Sequence, residues 1–374
     1  MNRLATTRPK WTPSEALLPR EPGSIPSEIS RGSDIRLEIL KPGIVVLRED
    51  PSAKTAPGQE SVRVAVEFVS LCGSDHKLFE GTYQGPHHYP ITFGHEWSGR
   101  VIHAPAQSPF REGDLVTGDC SRYCGECRQC SVDPNTCRSV EKFGITVDGF
   151  SRSIVDISER YLYPVPDALP SALAAICEPT AVAYRAVAPH ANLAAAHGAL
   201  VVGAGHIGLA AVLVLQSFGV RDITVADTVP ERLALSREIL AGIRTESGIE
   251  IQPGDTYFSL KRCAQFGFIF DATGSSEGLA QALVRADFHG TVVTVGMLRQ
   301  PKVPLDLVTT KALRLFGSIG GTGAFHEVME IMLDHDAEFR RFIGRQVVPE
   351  EWQTVFVTRS TKVKDQIRFG GSCG

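Results

Sequence analysis

Two stretches carry residue types that can hold a metal and an alcohol together. They are Leu71-Cys72-Gly73-Ser74-Asp75-His76-Lys77 and, some twenty residues on, Gly94-His95-Glu96. Thiolate, imidazole and carboxylate are the donors zinc prefers, and a catalytic zinc keeps one coordination position open for substrate. By themselves Cys72 and His95 also suit a small buried thiol and an unrelated histidine. Glu178 is a further candidate, set in Cys177-Glu178-Pro179 within an apolar, Ala-rich stretch. A carboxylate among such neighbours is costly unless it is paired or metal-bound. The other reading is a helix-start Glu complementing the dipole.

A second constellation is Cys124-Gly-Glu-Cys127-Arg-Gln-Cys130, with Cys137 following seven positions later. Two successive C-x-x-C steps put three thiolates on one tight loop, and Cys137 can close the tetrahedron. Four thiolates leave no open position, so the expectation is a structural zinc. The surrounding Arg, Gln, Asp and Asn do not suit a run of buried thiols. Of nine cysteines, four lie within these fourteen residues, which favours metal over disulfides in a chain without an export signal.

The third constellation is Gly198-Ala-Leu-Val-Val-Gly203-Ala-Gly205-His206-Ile207-Gly208, running into Leu209-Ala-Ala-Val-Leu-Val-Leu. Its context is a buried strand before and a helix after. Gly203 makes the turn, Gly205 admits the pyrophosphate, and Gly208 lets the helix pack closely, with its N-terminus facing phosphate. Asp227 ends the next strand, nineteen residues after Gly208, where a carboxylate binds the adenosine ribose and repels a 2′-phosphate. NAD+ is therefore expected over NADP+. Arg232 stands near the adenosine edge or on a solvated helix face. Thr273, Gly274, Val295 and Gly296 follow later strands, where ligands of such sheets sit.

The elements that must position these residues change character along the chain. Residues 44–47 and 61–69 alternate in the β manner, so Cys72 sits at a strand end. Loop Gly81–Pro90, with Tyr83, His87 and His88, is placed to line a substrate cleft. Ala172–Val187 reads as one helix, and from residue 198 strands alternate with helices as βαβ units require. The last fifty residues return to mixed character and are expected to fold back on the first domain. The length of 374 residues implies two domains. The fold expected is α/β: a β-rich catalytic domain over 36–182 completed by 318–374, and a doubly wound parallel sheet over 183–317.

Composition excludes other classes. The net charge of −4 offers no basic patch for nucleic acid, and no apolar run approaches the ~20 residues that cross a bilayer. Residues 1–35, beginning MNRLATTRPKWTPSEALLPR, lack the apolar core of a secretory signal and read as a Pro-rich extension. A cytoplasmic location is expected.

Taken in order, Cys72-Gly-Ser-Asp75, Gly94-His95-Glu96-x-x-Gly99-x-Val101, Cys124 to Cys137, Glu178-Pro179 and the glycine fingerprint resemble the zinc-dependent medium-chain alcohol dehydrogenases, particularly their sorbitol and threonine dehydrogenase branch. The resemblance runs from about residue 37 to the C-terminus. It implies a GroES-like catalytic domain around an inserted Rossmann domain, NAD+, two zinc ions per chain and a homodimer or homotetramer. It further implies Cys72, His95 and Glu178 on the catalytic zinc, with Glu96 alternating with them or just behind. Ser74 would start a proton relay that the family often ends in His, at the position of Lys77. The interval from Cys130 to Cys137 is one residue shorter than usual. Segments Gly81–Pro86 and Gly94–Gly99 are also similar to 2-deoxy-scyllo-inosamine dehydrogenases, which implies a polyol, amino sugar or aminocyclitol as substrate. The alternatives are a non-catalytic nucleotide-binding relative and a zinc-free quinone reductase. The first would have lost zinc donors, and the second would lack the Cys124 cluster.

Overall fold

The computed structural model describes residues 34–51, 58, 60–249, 251, 263, 265–298, 302–358 and 362–370. The N-terminal extension therefore lies outside the described residues as far as Ser33. Among the described residues four sheets are present, two of them large. In the larger β sheet the order is Leu162–Pro164, Leu115–Gly118, Glu96–His103, Ser61–Ser70, Lys364–Arg368 and Ile343–Val347, with Ile154–Ser158 also paired to Ser61–Ser70. A three-stranded sheet of Ile44–Glu49, Ile35–Lys41 and Ile91–Thr92 lies beside it in the chain.

The alternating burial of Ser61–Ser70 is the pattern of a strand with one face on a core. That core includes Val62, Val64, Val66, Trp97, Val101 and Phe150, and Trp97 stacks on Phe150 with centroids 4.2 Å apart. Register then does the positioning. Ser70 pairs with Glu96 on one side and with Gln366 on the other. Cys72, His95, Glu96 and Lys364 are thus gathered at one end of three adjacent strands, although 268 residues separate the last two. The C-terminal residues add two strands, Ile343–Val347 and Lys364–Arg368, to this sheet.

The second sheet is parallel throughout, in the order Arg244–Glu246, Ile223–Ala226, Ala199–Val202, Phe266–Asp271, Ala286–Thr294 and Arg314–Gly317. This is the doubly wound arrangement, and its central strands Ile223–Ala226, Ala199–Val202 and Phe266–Asp271 are buried on both faces because helices cover them. Helix His206–Ser217 is buried from Gly208 through Leu215, as expected of a segment apolar all round. It packs with Cys177–Val187 in the largest core cluster, which also takes in Phe325, Phe339 and Phe342.

One element departs from the sequence reading. The expected single helix over 172–187 is two, Ser171–Ala174 and Cys177–Val187. Pro179 explains the break, since it lacks an N–H and clashes with a preceding turn. Restarting at Cys177 puts Pro179 in the first turn, where neither matters, and Glu178 beside the helix N-terminus. No helix among the described residues is long and apolar enough to cross a membrane.

Candidate active site and cysteine lobe

Helix Gly73–Glu80 starts immediately beyond strand Ser61–Ser70, with Cys72 as its cap residue. Asp75 is wholly buried and fixes this junction. Its Oδ2 accepts from the Cys72 N–H at 2.8 Å and its Oδ1 accepts from the Gly94 N–H at 3.2 Å. One carboxylate thereby ties the two metal-type motifs together. The donor atoms of Cys72, His95 and Glu96 all lie within 4.8 Å of one another, a spread that bonds of about 2.0–2.3 Å to a shared zinc accommodate. The buried Nδ1 of His95 has no hydrogen-bond partner and stands 3.9 Å from Asp75 Oδ1. An orphaned imidazole nitrogen beside a thiol fits a metal donor better than a packing residue.

Charge in the cluster is matched from the far end of the chain. The ammonium of Lys364 lies 2.5 Å from Glu96 Oε2 and donates to Glu96 Oε1 at 2.6 Å and to the Leu71 carbonyl at 3.0 Å. Burial alone would push the Cys72 thiol up, but Lys364 and the His95 contact outweigh it and bring the thiol down to about 6. Burial likewise opposes protonation of His95, yet Asp75 and Cys72 raise it to about 10. A thiolate facing an imidazolium is a pair that a divalent cation can replace by displacing one proton.

Glu178 is buried but falls outside the 4.8 Å set. Its charge acts on both His95 and the Cys120 thiol. Cys120 thus belongs to the same electrostatic environment, with the Lys142 ammonium 3.8 Å from its sulfur. Ser74 Oγ is buried and has no hydrogen-bond partner. Lys77 is exposed, in the last turn of the helix. His76 points elsewhere, against the edge of Phe356 at 5.5 Å.

The cysteine lobe is the tighter constellation. The sulfur separations are 3.8 Å for Cys124–Cys130, 3.5 Å for Cys127–Cys130, 4.0 Å for Cys127–Cys137 and 3.6 Å for Cys124–Cys137. A tetrahedron with zinc–sulfur bonds of about 2.3 Å has edges of about 3.8 Å, and a disulfide needs about 2.05 Å. The geometry fits a four-thiolate zinc and excludes disulfides among these four. The short Cys130–Cys137 interval is absorbed by the single 3₁₀ turn Pro134–Thr136.

In the parallel sheet, a Cβ at Gly208 would lie 1.8 Å from the Gly203 carbonyl oxygen, whereas one at Gly205 would meet nothing within 4 Å. Gly208 is therefore required by packing, and Gly205 leaves open space where a pyrophosphate would sit. Gly203 has φ of +103°, the left-handed region that favours glycine. Asp227 is held at the strand end, its Oδ2 accepting from the Ala204 N–H and its Oδ1 from the Val229 N–H, each at 2.8 Å. Arg232 is half exposed, with Nη1 3.7 Å from Asp227 Oδ2. Gly274 and Gly296 touch, since a Cβ at Gly296 would lie 2.2 Å from Gly274 Cα. Thr273, whose Oγ1 donates to Asp271 at 2.7 Å, and Val295 flank that meeting of strand ends. Ile207 is half-buried at the start of the helix. The His206 ring turns away from the glycine turn: Nε2 is 3.1 Å from Thr180 Oγ1 and the ring packs against Phe342. Only its backbone remains for a phosphate.

Sequence reasoning missed Lys364 and Thr180 and undervalued Asp75. Asp75 had a local signal, its place three residues after Cys72 as a capping carboxylate. Lys364 had none, because only strand register brings it to the site.

Two family models match the chain: the alcohol dehydrogenase GroES-like domain over residues 58–167 and the zinc-binding dehydrogenase over residues 207–334. The starvation-sensing protein RspB of Escherichia coli K12 is 30% identical over 279 residues, covering 73% of this chain and 79% of the relative. D-altritol 5-dehydrogenase of Agrobacterium fabrum is 30% identical over 254 residues, covering 66% and 71%. Among solved structures, L-idonate 5-dehydrogenase of Escherichia coli superposes with a TM-score of 0.79 at 22% identity, over 90% of this chain and 98% of that one. The chain belongs to the zinc-dependent medium-chain alcohol dehydrogenase family.

Proposed function

We propose that this chain oxidises a secondary alcohol of a polyol, amino sugar or aminocyclitol, passing the hydride to NAD+ with a catalytic zinc. Cys72 and His95 would hold that zinc together with Glu178, with Glu96 alternating with it or just behind, while Cys124, Cys127, Cys130 and Cys137 would hold a structural one. One observation carries the reading: the donor cluster and the glycine turn adjoin. His206, first residue of the helix after the turn, meets Thr180, two residues beyond Glu178, at 3.1 Å. The charge of Lys364, which is bonded to Glu96, also acts on His206. A carbinol carbon at the donors and a coenzyme ring at the strand ends would then be neighbours, as hydride transfer needs.

Bound zinc would supply a Lewis acid that acidifies the alcohol, and NAD+ would take the hydride. The protein's own groups do the rest. Lys364 neutralises Glu96, so a dianionic cluster is avoided at a site that must lose a proton from substrate. Ser74 Oγ, buried without a partner, accepts the hydroxyl proton and hands it outward. Lys77, exposed three residues further along the helix, does not complete the relay, so the proton leaves by solvent. Asp227, fixed by two backbone N–H groups, takes the adenosine ribose hydroxyls and repels a 2′-phosphate.

The relative named for D-altritol supports a polyhydroxylated substrate. The narrower choice of an aminocyclitol rests on the short likeness of Gly81–Pro86 and Gly94–Gly99. The alternative of a non-catalytic relative is disfavoured because no candidate donor is missing. The test is NADH absorbance over a panel of polyols, amino sugars and aminocyclitols, run with NAD+ and NADP+ alongside metal analysis. Turnover with about two zinc ions per chain is expected. Activity in a zinc-free preparation would sink the mechanism, and a preference for NADP+ would overturn the role given to Asp227.

A further inference from the structure

Thr322 stands five residues beyond the last strand of the parallel sheet, where the chain crosses back towards the catalytic domain. Its backbone is grasped at both ends by one side chain of the cysteine lobe. Asn135 Oδ1 accepts from the Thr322 N–H at 3.1 Å, and Asn135 Nδ2 donates to the Thr322 carbonyl at 3.2 Å. This is the pairing a neighbouring strand would make, supplied by a side-chain amide. Asn135 is 1% exposed and lies between Cys130 and Cys137. Its conformation is set by Asp133, whose Oδ1 accepts from its backbone N–H at 3.0 Å and from Nδ2 at 2.7 Å.

The helix that carries Glu178 joins at the same point. Arg185 Nη1 donates to the Thr322 carbonyl at 3.1 Å and Nη2 to Asp133 Oδ2 at 2.6 Å. The crossing is packed without slack: a Cβ at Gly320 would lie 2.0 Å from Asn135 Oδ1, and one at Gly321 would lie 2.8 Å from Ala181 Cβ and 3.1 Å from the Glu178 carbonyl oxygen. Thr322 Oγ1 donates to buried Asp119 at 2.7 Å, and Asp119 precedes Cys120, the residue against Glu178. Three elements with separate tasks thus meet at the Thr322 backbone, where the wholly buried Asn135 side chain makes the central link.

We propose that Asn135 is a positioning residue that couples the cysteine lobe to the coenzyme sheet and to the Glu178 helix, so that coenzyme binding tightens the lobe and an intact lobe favours coenzyme binding. The inference rests on the reading of the lobe as a zinc site and of the glycine turn as a coenzyme site. By linkage the two effects have the same size.

The test uses the full zinc-loaded chain with iodoacetamide, and reads alkylation of Cys124, Cys127, Cys130 and Cys137 by peptide mass spectrometry with and without saturating NADH. NADH is expected to slow lobe alkylation about tenfold in the native chain, the scale of ordinary site–site coupling. In Asn135→Ala the protection falls below about twofold, and NADH affinity weakens by the factor lost. Thr322→Val keeps the backbone clasp, loses only the bond to Asp119, and retains the protection. A merely structural Asn135 would lower the melting temperature and leave the protection intact, which overturns the proposal, as does a native chain in which NADH gives no protection. Should Asn135→Ala not fold, Arg185→Lys, which loses the two-pronged link between Thr322 and Asp133, is read by the same criterion. A native chain that lacks lobe zinc or does not bind NADH brings down the underlying functional reading, and the coupling with it.

Discussion

The two cysteine-bearing sites are built in opposite ways. The lobe draws all four sulfurs from residues 124–137, leaves three of them partly exposed, and offers four identical donors. The Cys72 cluster takes a sulfur, a nitrogen and carboxylates from positions 72, 95, 96 and 178, matches their charge from position 364, and buries all but Cys72, which is partly exposed. A local site can form as soon as its loop forms, so its sequence signature is compact. A site assembled by sheet register exists only once the sheet does, and it can keep a coordination position open because the surrounding fold, not the donors, holds its shape.

The widest separation between the two comes from exchanging one thiol in each. Cys72→Ser is expected to lower turnover about a thousandfold or more, the loss of several kcal/mol of metal assistance. Its melting temperature should stay within about 3 °C of native, because one polar atom replaces another at a site the sheet already holds. Cys127→Ser should do the reverse, dropping the melting temperature by roughly 5–10 °C as the lobe loses its metal. Parallel assays of turnover and calorimetric melting decide the matter, and equal effects in both variants would erase the distinction between the sites.

Next in size is the charge match. Lys364→Met leaves Glu96 buried without its ammonium, which typically costs about 3–5 kcal/mol. Urea unfolding should show that loss, and adding Glu96→Gln should recover part of it, because the unmatched charge goes. Were Lys364→Met neutral in urea, the pair would not be what binds the C-terminal strand to the site.

These contrasts also explain what the sequence made legible. The tetrathiolate lobe, the glycine turn and Asp227 were readable because each is a short-range pattern whose spacing follows from local geometry. Cys72 and His95 were readable as candidates, and they gained weight from their company. Lys364 was invisible: a lysine in a strand-like run carries no mark of its partner 268 residues away. The break at Ala175–Ile176 was missed because a continuous apolar pattern outweighed Pro179 in the reading, whereas the chain gave way to the proline. Asn135 was passed over for a related reason. Its neighbours in sequence are candidate metal donors, and its partner, Thr322, is brought to it only by the crossing between sheets.

A finer division runs through the glycine turn. Gly208→Ala would set a Cβ 1.8 Å from the Gly203 carbonyl oxygen and should damage the fold of the turn itself. Gly205→Ala meets no protein atom, so its Cβ intrudes only on a ligand. Fluorescence titration with NADH should find affinity lower by about tenfold, or 1.4 kcal/mol, with an unchanged melting temperature. Equal melting losses in the two variants would mean that Gly205 serves packing rather than phosphate.

The smallest effect concerns the proton. Ser74 Oγ is buried beside the donors, whereas Lys77, three residues on, projects into solvent from the last turn of the same helix. Lys77 lies most of a helical turn from Ser74. Its evident task is to complement the negative end of the helix dipole, an effect of about 0.3–1 kcal/mol that salt screens. Lys77→Ala should therefore change kcat by less than about twofold, with the same pH profile as the native chain. Lys77→His is the sharper variant, because it restores the residue type that the family often places there. If the imidazole raises kcat severalfold and introduces a pH dependence between about 6 and 7, the relay runs along this helix and solvent has been serving as its last member. If Lys77→His behaves like Lys77→Ala, the proton from Ser74 leaves by another path, and the buried site and the exposed helix end are functionally independent.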